Sequence, residues 1–133
     1  MAHEEVVQDI KRFGITPKKA LGVSVPELRR KTRSLGVSHE LALTLWSFQI
    51  RETMLLASMV DDPKLVTKAQ MERWVLDFDN WEICDQVCGN LFLWTGHVYR
   101  KIFDFAERKE EFVKRSSFAM IAELAVHGKY IGN

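Results

Sequence analysis

Trp81 and Asp85 stand four residues apart in "DFDNWEICDQV", residues 77–87, a stretch that crowds four carboxylates, an indole and a thiol together. If the stretch is helical, residues i and i+4 share a face one turn apart. An indole beside a carboxylate at the edge of a groove has chemical uses. The ring offers a flat π surface to a sugar or a cation, and the anion can stabilise developing positive charge or orient a water. A purely structural reading stands beside this one: Trp81 packs under the preceding loop, and Asp85 caps a helix or pairs with an arginine such as Arg115. Helix geometry alone favours the structural reading.

Other chemistry-bearing residues point less far. Cys84 and Cys88 have a spacing that could hold a metal, but zinc usually takes four ligands and the histidines are scattered at 3, 39, 97 and 127. Core cysteines are expected there, and neither a metal nor a cofactor site is read. No Gly-rich phosphate loop, HExxH or nucleophile elbow is present. "LRRKTR" at 28–33, "VYRK" at 98–101 and Lys114 with Arg115 are basic clusters. Such residues form solvated helix faces or, gathered on one concave surface, track a phosphate backbone. Trp46 and Trp74 sit at helical spacing among Leu and Val and read as core. Glu52 follows Arg51 and is placed to fix it by a salt bridge, with no chemistry of its own.

The elements that would position these residues are helices. After an opening helix to about Phe13 comes a breaker-rich loop, "GITPKKALGVS". Ser24 and Glu27 make a capping box, Pro26 fits the first turn, and Gly36 ends that helix. "SHELALTLWSFQIRETMLLASMVDDP" reads as two helices with a break near Phe48 to Ile50 and a halt at Asp62-Pro63. Thr67 with Gln70, and Asp79 with Glu82, read as further cap pairs, which places Trp81 at a helix start. Ile83, Cys84, Val87, Cys88 and Leu91 form a stripe that must face the core, with Trp81 and Asp85 beside it. "GHVYRKIFDFAERK" and "EEFVKRSSFAMIAELAVHG" are two more amphipathic helices, the second closed by Gly128. No period-2 run is long enough for a strand. Seven or eight helices in one all-α domain, residues 1–133, fit a stacked array of HEAT-like pairs and a nonrepetitive bundle alike.

Composition sets outer limits. The chain has 133 residues, 47% apolar and 28% charged, which suits a globular domain with a sizeable core. Nineteen basic against eighteen acidic residues give a formal charge of +1, so any positive surface must be local. No segment approaches the run of about 18 apolar residues a membrane span needs, and no apolar signal core opens the chain. With two reduced-type thiols, a cytoplasmic setting and no membrane partner are expected.

Four separated words, "ALGVSVPELRR", "HELALTLWSFQIRETMLLASMVDD", "FDNWEICDQVCGNLF" and "FVKRSSFAMIAELAVH", resemble in order and spacing the DNA alkylation repair family. The resemblance runs from about Ala20 to His127. It implies an α-α superhelix of antiparallel HEAT-like helix pairs, curved into a C shape around duplex DNA. It also implies a DNA glycosylase that excises N3- and N7-alkylated purines without flipping the base. By motif, Trp81 and Asp85 take the places of the family's site tryptophan and aspartate. Arg115, with Lys114 beside it, takes the place of a DNA-contacting arginine. The implied partner is duplex DNA carrying alkylated bases. The alternatives are a noncatalytic DNA-binding relative and a HEAT-like protein-interaction scaffold. Family members are longer, and this chain ends soon after the arginine-bearing segment. The later repeats and a second aromatic wall are then expected to be missing, which puts excision by this chain in question. An exposed C-terminal repeat face would also be open to self-association.

Overall fold

The computed structural model describes residues 21–128, and the opening helix read to Phe13 lies outside them. Among the described residues there are seven α-helices, one 3-10 turn and no strand, so the all-α expectation holds. The chain divides at Asp62/Pro63 into two compact units.

In the first unit, α1 (Val25–Leu35) begins where the sequence places it. The Ser24 hydroxyl accepts the Glu27 N–H at 3.3 Å, Pro26 occupies the first turn, and Gly36 closes the helix at φ 72°. Ser38 caps α2 (His39–Ser47), and α3 (Arg51–Val60) follows the expected break. Gln49 sits in that break with φ 53°, a left-handed conformation uncommon outside glycine. Its side-chain amide donates to the Trp46 carbonyl at 2.9 Å. Two bonds join the start of α2 to the end of α3: Ser38 N–H to Val60 O at 2.7 Å and His39 Nδ1 to Asp61 Oδ1 at 2.6 Å. The two helices are therefore an antiparallel hairpin. Every residue from Glu52 to Ser58 is buried, which makes α3 the core helix of this unit, packed on α1 and α2.

The second unit contains α4 (Lys68–Leu76), α5 (Trp81–Asn90), a 3-10 turn (Phe92–Trp94), α6 (Val98–Ala106) and α7 (Glu111–Val126). Thr67 caps α4 by accepting the Gln70 N–H, as read from sequence. The 3-10 turn was not expected, because "LFLW" carries apolar residues without a breaker to mark it. The longest helix, α7, packs on α4, α5 and α6. Trp74, Phe78 and Phe92 make one aromatic cluster with ring centroids 6.3–6.5 Å from Phe92. Trp46 and Trp74 are both core residues, as expected. Arg108, in the α6–α7 connection, binds Glu72 of α4 at 2.6 Å and Glu110 at 2.8 Å, fixing where α7 starts. No helix among the described residues is long and apolar enough to cross a membrane.

Candidate active site

Helix α5 starts at Trp81, but its cap is not the expected pair of Asp79 and Glu82. Asn80 Oδ1 accepts the Ile83 N–H at 3.0 Å, while Asp79 accepts from the Asn80 amide at 2.7 Å. Three cap-forming residues in four positions, "DFDN", leave the choice to tertiary packing. A helix that begins at Trp81 puts Ile83, Cys84, Val87, Cys88 and Leu91 in the core, all 3% exposed or less. Asn80→Ala is expected to lower stability by about 1 kcal/mol in urea unfolding. Asp79→Ala should cost less; a larger loss there would return the cap to Asp79.

The buried stripe explains the cysteines. Cys84 Sγ lies 3.5 Å from Ser116 Oγ, and Cys88 Sγ is 3.7 Å from the Ser116 carbonyl, so both thiols belong to the α5–α7 contact. Burial pushes the Cys88 thiol well above its ordinary range.

Outside that stripe, Trp81 is 66% exposed, so it does not pack under the preceding loop. Asp85, one turn on, accepts a bidentate pair from α7: Arg115 Nε to Oδ1 at 3.1 Å and Nη2 to Oδ2 at 2.8 Å. The same guanidinium lies over the Trp81 ring, 4.7 Å from its centroid. Asp85 raises the pKa of Arg115 further above its already high value. The expected pairing of Asp85 with Arg115 and the expected clustering of site residues are thus one and the same arrangement. Three residues from two helices, 30 positions apart, form a stack of ring, guanidinium and carboxylate. Both charged partners remain partly solvated, at 37% and 44% exposure. A partly solvated pair of this kind contributes little to stability, on the order of 1 kcal/mol or less.

Asp85 and Arg115 also line an open hollow of about 240 Å³, completed by Phe118, Ala119, Ala122 and Glu123 of α7. The hollow is polar at its Arg115 end and apolar along its wall. Lys114 is exposed on a neighbouring face of α7 and stands outside the stack.

The basic clusters divide. In "VYRK", Lys101 is buried, its ammonium 5.1 Å from the Phe105 ring centroid and 3.5 Å from Asp104, so it offers no phosphate contact. Arg100 is exposed, and in α1 so are Arg29, Arg30, Lys31 and Arg33. The Arg51–Glu52 salt bridge forms as read, at 2.7 Å, but Glu52 is buried and also accepts the backbone N–H groups of Leu21 and Val23.

Sequence reading missed a second group beside the first: Gly89 of α5, Glu123 of α7, His127 just past the end of α7, and Trp94 of the 3-10 turn. The signal was available as spacing. Trp81, Asp85 and Gly89 are successive i+4 positions of α5, and Arg115, Ala119 and Glu123 are successive i+4 positions of α7.

Compared with known proteins, residues 1–131 match the family model described as DNA alkylation repair enzyme. No curated protein and no solved structure matches the chain. The match takes in both compact units and all seven described helices, and the all-helical architecture agrees with the α-α superhelix of that family. The chain belongs to the DNA alkylation repair enzyme family, with DNA as the partner that membership implies.

Proposed function

We propose that this chain acts on duplex DNA carrying N3- or N7-alkylated purines as an N-glycosyl hydrolase, with the damaged base left outside a pocket. The observation that carries the reading is the convergence of Trp81, Asp85 and Arg115 at one solvent-open edge of α5 and α7. The hollow beside them is open to solvent, so a DNA backbone can reach all three residues.

An N-alkylated purine already carries a positive charge. When the C1′–N bond breaks, the bonding pair leaves with the base, which departs neutral, and positive charge develops on the sugar. Water then bonds to C1′ and gives up a proton, leaving an abasic site. The residues supply electrostatics and placement: Asp85 opposes the sugar's charge and orients the water, and the Trp81 face packs on deoxyribose. Arg115, with Lys114 next to it, holds the phosphate backbone.

The test is release of 7-methylguanine or 3-methyladenine from methylated duplex DNA by the purified chain. Release above the uncatalysed rate, together with duplex binding that weakens as salt rises, is expected. Binding without release would favour a second reading, a DNA-binding relative without excision. The closed Asp85–Arg115 pair, in which the carboxylate is already neutralised, speaks for that reading.

A further inference from the structure

The hollow between α5 and α7 has a wall that the charged stack does not account for. Phe118 lines it together with Asp85 and Arg115, and this large apolar side chain is 59% exposed. Single exposed apolar residues are ordinary on a protein surface, so exposure alone assigns nothing. The place of this one is what matters. Phe118 lies three residues beyond Arg115 and four beyond Lys114 on α7, and a long helical side chain leans back over the turn before it. The ring is therefore carried toward the two cations. Beside it α7 turns Ala119 and Ala122 to the hollow, two small side chains that leave the flank of the ring open.

Arg115 belongs to both sides of this edge. Its guanidinium lies 4.7 Å from the Trp81 ring centroid and also borders the hollow that Phe118 walls. The edge thus offers an indole on α5, a guanidinium, and a phenyl ring on α7: an apolar plate, a cation and a second apolar plate. A nucleic-acid strand presents the complementary order of deoxyribose, phosphate and deoxyribose. Membership of the DNA alkylation repair enzyme family implies that the strand is DNA.

We infer that Phe118 is a further DNA-contacting residue: its ring packs on the deoxyribose next along the strand from the one that Trp81 receives, with the intervening phosphate on Arg115. This rests on the reading of the α5–α7 edge as the DNA site. It extends that site along the strand and places the damaged base in no part of the hollow.

The test is binding to unmodified duplexes over a series of salt concentrations. Phe118→Ala is expected to weaken binding about fivefold, the lower end of what the loss of an aromatic platform costs in nucleic-acid binding. The factor should be the same at every salt concentration, because the ring carries no charge, and the same in duplexes of different sequence, because a sugar carries no base identity. Phe118→Tyr should keep the affinity, and the urea midpoint of Phe118→Ala should stay where it is. Ile121→Ala is the control: Ile121 is 43% exposed on the same helix but does not line the hollow, and its loss should leave binding unchanged. Equal losses in Phe118→Ala and Ile121→Ala, with a changed oligomeric state in sedimentation, would assign the ring to contact between copies and overturn the proposal. A loss confined to one sequence would assign it to a base edge and overturn the deoxyribose contact. Unchanged binding in Phe118→Ala, while Arg115→Ala still weakens it, overturns the role of Phe118 and leaves the DNA site standing. No duplex binding by the unsubstituted chain overturns both.

Discussion

Asp85→Asn is expected to slow single-turnover release of 7-methylguanine from methylated duplex DNA by about a hundredfold or more, without loss of helix content or duplex affinity. The magnitude is that of removing one group aimed at charge that develops only in the transition state. The leaving base needs little help because it is already cationic, so the barrier lies in the sugar, and an amide of the same shape cannot oppose a positive charge there. Asparagine also releases Arg115 from its bidentate contact. Binding to phosphate should therefore hold steady or tighten. Arg115→Ala should behave differently: it weakens duplex binding and reduces the magnitude of the salt slope by about one. On the proposed reading, a phosphate that competes for this guanidinium would uncover Asp85 and so couple backbone binding to the appearance of a usable carboxylate. Unchanged release in Asp85→Asn would remove the residue from the mechanism.

How far this site could be read from the sequence depends on which forces fix each part. Local chemistry sufficed for α1, where Ser24, Pro26, Glu27 and Gly36 all act within one helix. Helical spacing placed Trp81 and Asp85 on one face, but could not say whether the indole was covered, since that depends on what packs over α5. Arg115 could be named as a partner; that one guanidinium would satisfy Asp85 and cover Trp81 together is a property of how α5 and α7 meet. The cap moved from Asp79 to Asn80 for a similar reason. Both types cap equally well, and the buried stripe decided between them. Lys101 shows the converse failure: a lysine in a basic word is solvated by default, yet its stem and ammonium lie against Phe105. Glu123 and Gly89, 34 positions apart, carry no local signal beyond a repeated step of four.

Glu52→Gln is expected to destabilise the chain by about 2 to 3 kcal/mol at pH 7 in urea unfolding. Its side chain is 2% exposed and holds three groups at once: the N–H of Leu21 at 2.9 Å, the N–H of Val23 at 3.2 Å and the Arg51 guanidinium at 2.7 Å. Arg51 in turn donates to the Val23 carbonyl at 2.7 Å. The segment leading into α1 is thus fastened to the start of α3 through one carboxylate, and an amide there must turn an N–H toward a donor. Burial alone would raise the carboxyl's pKa; the Leu21 N–H, the Arg51 guanidinium and the Val23 N–H outweigh it and hold the group below the usual carboxylate range. A folded-state pKa lowered in this way contributes stability above the unfolded value, and the contribution is lost as pH falls through the folded one. The gap between the unsubstituted chain and Glu52→Gln should therefore be full at pH 7 and narrow below about pH 4. A gap of the same size at pH 3 would mean that Glu52 stabilises by shape and not by charge. Helix α1 bears the exposed Arg29, Arg30, Lys31 and Arg33. A buried acid, invisible as chemistry in the sequence, fixes where that basic helix begins.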